Sequence, residues 1–336
     1  MSWDTLYAAI AEARARIAEA APDAATAAEG EAYVSRVVAA AMATAFVGHR
    51  LVQGGLALAL PVYGGPNPDY IMRHATIDPG GRYRLTGRLN GSERVSVGLY
   101  TMGDNGAPLI AGHTAFDRAN CAPDGGFALD LAADATGPGA MAIPEGGRIL
   151  MLRVLHRDGS EPAYLDLAGG PPMKGPALAG GSNDGALAFA ARTVSANIAE
   201  YMKWVRAAAS LPNRLDAAPQ ELAATVIGDA DTQYFLGGFD LAHGEWLEIV
   251  MPAELTGYWS VHAYNFWYEH LVTAGVHDRN AIRSSDGAVV VAVGPDAPAT
   301  APNRIDTLGR RKGAFVCRIV GQASGIDAPL TTIRTA

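Results

Sequence analysis

Cysteine is almost missing from this chain of 336 residues: Cys121 and Cys317 are the whole supply, and they lie far apart. Two thiols so placed establish neither a disulfide framework nor a cysteine metal site. Long hydrophobic runs are missing as well. The nearest, Val37 to Val47, is Ala-rich and falls short of the roughly 18 residues a bilayer-spanning helix needs. Basic clusters stop at Arg310-Arg311-Lys312 and the formal net charge is -8, which argues against a nucleic-acid footprint or a polybasic membrane patch. Met1 to Ala20 mixes Asp4, Glu12, Arg14, Arg16 and Glu19 with apolar residues, unlike the continuous apolar core of a secretory signal. A Gly-x-Ser-x-Gly elbow, a Gly-x-x-x-x-Gly-Lys-Ser/Thr phosphate loop, an Asp-rich calcium loop and paired Cys-x-x-Cys signals are all missing. The expectation is a soluble, cytoplasmic protein that uses no cofactor, contacts neither nucleic acid nor membrane, and works on a small-molecule ligand.

What is present points to sheet. Hydrophobic residues make up 49% and charged residues 18%, and 39 glycines and 20 prolines punctuate the chain as turns between short strands would require. Trp3 to Ala20 and Thr26 to Leu51 carry apolar residues at helical spacing, for example Val34, Val37, Val38 and Met42, so two helices open the chain. Short apolar runs follow at Leu56 to Val62, Tyr70 to Ile77, Tyr83 to Leu89, Arg94 to Tyr100, Gly126 to Leu131 and Ile149 to His156. Pro171-Pro172, Ala177, Ala179 and Gly180-Gly181 form a bridge to a third helix, Asp184 to Ala208, with Val194, Ile198, Tyr201, Met202 and Val205 on one stripe and Asn183 or Asp184 as its cap.

Strands are then expected at Gln233 to Asp240, Glu245 to Met251, Tyr258 to Phe266, Ala288 to Val293 and Ala314 to Val320. The predicted class is mainly β with N-terminal and mid-chain helices (α+β), divided into N-terminal helices (1–52), a first antiparallel region (53–180), and a helix plus C-terminal sandwich (181–336).

The aromatic run from Tyr258 to His270 is the most informative stretch. As a strand it places Tyr258, Ser260, His262, Tyr264 and Phe266 on one face and Trp259, Val261, Ala263 and Asn265 on the other. The first face has the composition of a ligand wall, with rings for contact and His and Tyr for orientation. His262 is the candidate general acid or base, with Tyr264 beside it, and Tyr258 and Phe266 line the wall. The competing reading is a histidine satisfied by neighbouring strands.

His262, His270 and His277 contain suitable metal-ligand chemistry, but their spacing matches no ligand motif, and no metal site is assigned. Asn303, Arg304 and Asp306 precede a strand, where Arg304 has the fork to hold a carboxylate or sulfate. Asn67 and Asp69 are further ligand candidates. Turn shaping is the commoner use of Asn and Asp in such segments.

Taken together, Asn67-Pro68-Asp69-Tyr70, Tyr83-Arg84-Leu85-Thr86-Gly87, Tyr258-Trp259-Ser260, Asp286-Gly287 and Asn303-Arg304-Ile305-Asp306-Thr307 resemble, in order and spacing, domain-of-unknown-function family 1214. The resemblance implies a jelly-roll-like antiparallel architecture in the C-terminal part and little chemistry. Two departures stand out: Arg304 occupies the family's usual tryptophan position, and the aromatic strand carries His262 and Phe266-Trp267-Tyr268. Three functions follow as expectations. They are a cofactor-independent lyase, isomerase or hydrolase acting on a small ring-containing metabolite; a non-catalytic module for a carbohydrate or hydrophobic ligand; and an assembly protein, including self-assembly into a homo-oligomer.

Overall fold

The structure, a computed structural model, describes residues 3–46, 52–58, 64–103, 108–170, 183–219, 222, 228–253, 255–321 and 325–335. The expected end of the second helix (47–51), the end of the first strand (59–62) and the bridge containing Pro171, Pro172, Ala177, Ala179, Gly180 and Gly181 lie outside the described residues.

Periodic apolar positions produce helices α1 (Trp3–Ala20), α2 (Ala24–Phe46) and α3 (Asp184–Ala209). In α1 the buried positions Leu6, Ala9, Ala13 and Ile17 recur every three to four residues, one stripe of the helix. Gly30 of α2 lets the helices approach, since a Cβ there would stand 2.3 Å from Ile17 Cγ2 and 3.0 Å from the Trp267 ring. Asn183 holds the N-cap position of α3, but its side chain makes no cap hydrogen bond, contrary to the expected capping role. The stripe of Val194, Ile198, Met202 and Val205 is buried, as its spacing predicts.

The strands are β1 (Val52–Gln53), β2 (Leu56–Leu58), β3 (Tyr70–Thr76), β4 (Tyr83–Arg88), β5 (Arg94–Met102), β6 (Pro108–Asp117), β7 (Gly126–Ala132), β8 (Ala140–Ala142), β9 (Gly147–Leu155) and β10 (Tyr164–Gly169). Beyond α3 come β11 (Asp216–Ala217), β12 (Thr232–Asp240), β13 (Glu245–Val250), β14 (Trp259–Tyr264), β15 (Val276–His277), β16 (Val290–Val293), β17 (Arg304–Ile305), β18 (Lys312–Val320) and β19 (Leu330–Thr335).

They form two sandwiches. In the first, the sheet β1-β2-β3-β9-β5-β6 packs on β10-β4-β7-β8; in the second, β11-β12-β18-β14-β15 packs on β17-β16-β13-β19. Among the described residues the protein is therefore mainly β with three helices, as the turn-rich composition predicts. Among the described residues the named strands pair antiparallel apart from β7 with β8 and β16 with β17, which run parallel.

Each sandwich has its own core. Val95, Val97, Leu99, Leu150, Leu152 and Val154 fill the first, and Leu247, Ile249, Trp259, Val261, Phe315, Cys317 and Ile319 fill the second. A third apolar cluster joins all three helices to the other face of β12, β14 and β18 through Leu236, Tyr264, Ala314 and Val316. The two central sheets, β3-β9-β5 and β12-β18-β14, thus carry apolar cores on one face while their opposite faces turn toward each other and α3.

Candidate functional site

Strand alternation decides what reaches the space between the sandwiches. In β9, Leu150, Leu152 and Val154 enter the first core, so Ile149, Met151 and Arg153 point the opposite way. In β18, Phe315, Cys317 and Ile319 enter the second core, leaving Val316, Arg318 and Val320 for the other face. Tyr70 and Met72 of β3 and Thr232 and Tyr234 of β12 join them, and α3 closes one side with Asn197, Tyr201 and Trp204. The result is a cavity of about 600 Å³ whose wall also includes Asn67, Tyr258 and Tyr268. That volume falls within the range of ligand-binding clefts.

Two guanidiniums stand in this wall. Arg153 is 6% exposed and Nη1 donates to Tyr100 Oη at 3.2 Å. Arg318, also 6% exposed, donates from Nη1 to Tyr264 Oη at 2.8 Å and from Nη2 to the Gly65 carbonyl, with its Cζ 6.0 Å from the centre of the Tyr234 ring. Neither arginine has a carboxylate within ion-pair distance among the described residues. The Tyr70 and Tyr268 hydroxyls and Trp204 Nε1 are buried without hydrogen-bond partners among the described residues, and these three residues contribute to the cavity wall. Burial pushes the Tyr70 and Tyr268 phenols well above their ordinary range, so both are neutral donors.

At one edge a different network is already satisfied. Arg94 donates from Nη1 to Asp229 Oδ2 at 2.8 Å and from Nη2 to Asp231 Oδ2 at 2.6 Å, while His113 Nε2 lies 2.9 Å from Asp229 Oδ1. Burial opposes charge on Asp229, but His113 and Arg94 outweigh it and hold the carboxyl below its usual range. His113, Asp229 and Asp231 are close enough together to hold a cation. The guanidinium of Arg94 already occupies that role.

Asn67, Asp69, Tyr258 and His262 do come together. Tyr258 Oη donates to Asp69 Oδ2 at 2.8 Å, accepts from Asn67 Nδ2 at 2.7 Å and lies 2.8 Å from Ser260 Oγ. Behind them His262 Nε2 sits 3.3 Å from Asp69 Oδ2. Because the carboxylate accepts, Nε2 carries the proton and Nδ1 is the lone-pair nitrogen, which is buried without a partner. Burial lowers the His262 pKa against the opposing pull of Asp69, so the ring is neutral near pH 7. Burial raises the Asp69 carboxyl, yet its bonds from His262 and Tyr258 prevail and its pKa is lowered overall.

Several expectations place differently. His262 is 1% exposed and lies outside the cavity lining, so it supports Asp69 and does not face the cavity. Tyr264 shares its face as predicted, but its hydroxyl is taken up by Arg318 and the Pro66 carbonyl at 2.9 Å. The aromatic strand ends at Tyr264 and not at Phe266, because Asn265 Oδ1 accepts the Trp267 and Glu269 N–H groups, each at 3.0 Å, and turns the chain. Phe266 consequently packs against Trp267 and the helical cluster, away from the cavity.

Asn303, Arg304 and Asp306 are also remote from the cavity wall. Asn303 staples the Ile282 backbone through both amide atoms, Arg304 bonds the Ala297 carbonyl and Asp306, and Asp306 caps Leu308 N at 2.8 Å. The three histidines do not converge. His262 and His270 rings stand 5.6 Å apart, whereas His277 Nδ1 sits 3.1 Å from Arg157 Nη1.

The residues that sequence reasoning overlooked are Arg153, Arg318, Tyr70, Tyr234, Tyr268 and Trp204. A usable signal did exist: Arg153 and Arg318 each interrupt an otherwise apolar run, Ile-Leu-Met-Leu-Arg-Val-Leu and Ala-Phe-Val-Cys-Arg-Ile-Val.

With this geometry established, comparison with known proteins gives the following. Residues 210–328 match the model of DUF1254, a protein family of unknown function; the match is to that family and not to family 1214. The matched segment contains β12, β14, β18 and the aromatic run but neither Asn67 nor Asp69. No curated protein matches the chain significantly. Among solved structures, a putative uncharacterized protein from Burkholderia cenocepacia superposes with a TM-score of 0.86 at 26% identity, over 99% of this chain and 96% of that one. A protein from Vibrio parahaemolyticus is similar at a TM-score of 0.49 and 12% identity, over 90% of this chain and 98% of that one. The chain shares its whole fold with the Burkholderia protein, and its C-terminal sandwich resembles a family of unknown function.

Proposed function

We propose that the protein is a small-molecule receptor, with the cavity between the two sandwiches and α3 as its binding site. The observation that carries this reading is a cavity of about 600 Å³ between the two sandwiches and α3, lined by the rings of Tyr70, Tyr234, Tyr258 and Trp204 together with Met72, Met151 and Val316. The apolar wall supplies contact area for a ring or an alicyclic body. This reading keeps the expected ligand class, a small ring-containing molecule, and moves its position away from the outward end of the aromatic run.

The test uses the neutral fluorescent probe N-phenyl-1-naphthylamine. Wild type is expected to bind it with a rise in fluorescence, and Met72→Trp, which fills the cavity, is expected to abolish the rise while keeping the native circular dichroism. An unchanged rise in the filled variant would place the probe elsewhere and refute the site.

Catalysis is the second reading, and one arrangement favours it. Tyr258 and Asn67 line the cavity, and Asp69 with its supporting His262 stands directly behind the Tyr258 hydroxyl. In that case Tyr258 is the residue that meets substrate and His262 is a positioning residue. Turnover of a bound ligand that disappears in Tyr258→Phe while binding persists would support it; equal turnover in both proteins would remove Tyr258 from the chemistry.

A further inference from the structure

We infer that the ligand is an organic carboxylate, its anionic head held by Arg153 and Arg318 and its apolar body lying against Met72, Met151 and Trp204. This rests on the proposed binding cavity and names the chemistry of its occupant.

The argument begins with what burial does to a guanidinium. An arginine withdrawn from water loses several kcal/mol of hydration unless charge or strong hydrogen bonds replace it. Two other arginines among the described residues show that compensation. Arg157, whose side chain is 3% exposed, holds Glu93 through Nε and Nη2 at 2.8 and 2.6 Å and Asp278 through Nη1 at 2.6 Å. Arg94 holds Asp229 and Asp231. Arg153 and Arg318 differ, since among the described residues neither has a carboxylate within ion-pair distance: Arg318 is held by a hydroxyl, a carbonyl and aromatic faces, and Arg153 by the Tyr100 hydroxyl, with Asp229, already gripped by Arg94, acting on it only at longer range. Acidic side chains outnumber basic ones, 34 to 26, so two guanidiniums left without a carboxylate do not reflect a shortage of acids.

The two come from different sandwiches and share one neighbour. Tyr234 is the register partner of Arg318, and its phenol also contributes to the electrostatic surroundings of Arg153. A guanidinium offers five N–H donors, and the bonds named above leave several on each arginine uncommitted to any described acceptor. Planar forks of this kind match a carboxylate in two-point fashion.

The test measures affinity for a panel of aromatic, alicyclic and medium-chain aliphatic carboxylates, each beside its primary amide of the same shape, by calorimetry on the full chain. At least one carboxylate is expected to bind roughly tenfold or more tightly than its amide, as charge-assisted bonds to guanidinium imply. That preference is expected to vanish in Arg153→Met and in Arg318→Met. Arg318→Lys, which keeps the charge and loses the fork, gives a second variant should either methionine protein fail to fold, and the comparison of carboxylate with amide needs wild type alone.

Equal affinity for acids and amides would overturn the carboxylate inference while leaving a receptor for neutral ligands intact. A preference that survives both arginine substitutions would place the anion elsewhere and overturn it as well. Binding of no panel member, together with no response to the neutral probe, would overturn the receptor reading itself.

Discussion

The Tyr258 hydroxyl donates to Asp69 Oδ2 at 2.8 Å across 189 positions of sequence, tying the turn before β3 in the first sandwich to the approach of β14 in the second. Asp69 is 9% exposed and Tyr258 6%, so this is a buried bond between the two halves, and the Arg157 guanidinium lies 5.0 Å from the centre of the same tyrosine ring. Tyr258→Phe deletes the donor and leaves Asp69 with His262 as its side-chain partner. A loss of about 1–3 kcal/mol is expected from urea denaturation at neutral pH, the cost of stranding a buried acceptor. A loss too small to resolve would mean that water replaces the hydroxyl.

Acid should weaken the protein through its buried histidines. Burial, then repulsion from His262 and Arg318, lowers the His270 pKa from 6.5 to about 4. A base whose folded pKa is depressed favours the neutral form in the folded state. Its contribution is therefore intact above about pH 6.5 and is lost as pH falls toward 4, because the unfolded chain binds the proton first. His262 acts in the same direction, and Asp69, with its lowered carboxyl pKa, extends the loss further into acid. His270→Gln should show a smaller drop in urea midpoint between pH 7 and pH 5 than wild type; identical drops would remove His270 from the account.

Ion pairs in this chain should differ sharply in worth. Glu269 is 5% exposed and is gripped by Arg36 of α2 through both carboxylate oxygens, with Nη2 to Oε2 at 2.6 Å, and by Asn265 Nδ2 at 2.9 Å. Arg36→Met strands that carboxylate and should cost about 1–2 kcal/mol, discounted because the Arg36 side chain is itself 45% exposed. Arg84→Met breaks an exposed pair with Asp130 on β4 and β7 and should cost no more than about 0.5 kcal/mol. Thermal midpoints of the two variants compared side by side decide the matter, and equal shifts would contradict it.

Gly275 is placed to control His262. A Cβ at this position would stand 2.1 Å from His262 Nδ1 and 2.9 Å from the Val261 carbonyl, which leaves no space on that side of the ring and explains why Nδ1 has no partner. Gly275→Ala should push the imidazole off Asp69 and shift the His262 ring resonances in NMR spectra, with the resonances of His113 unmoved. Unchanged His262 signals would show that the backbone yields instead.

Local patterns were legible in the sequence. The alternation from Tyr258 to Tyr264 correctly separates Trp259, Val261 and Ala263, which enter the second core, from Ser260, His262 and Tyr264, which face away from it. The stripe of α3 was equally plain. Strands β6 and β19 were missed because β6, Pro-Leu-Ile-Ala-Gly-His-Thr-Ala-Phe-Asp, is largely half-exposed and β19 is Thr-rich and mostly exposed, so neither shows a regular apolar alternation. The cavity was not readable at all. Its wall is assembled from β3, β9, α3, β12 and β18, and no local periodicity reports that Arg153 and Arg318 share Tyr234 as a neighbour. Asn303 and Asp306 illustrate the opposite case, residues whose commonest use, fixing a turn, is the use found here.

The central sheets, each with an apolar core behind it and the cavity before it, give the molecule a mechanical character. Arg94 with Asp229, Arg157 with Asp278 and Tyr258 with Asp69 are rivets between two plates that enclose the cavity. An occupant touching both plates acts as a keystone, making separation of either sandwich contingent on losing the occupant. Calorimetric unfolding should accordingly sharpen when the cavity is filled, with the melting of the two halves drawn into a single event.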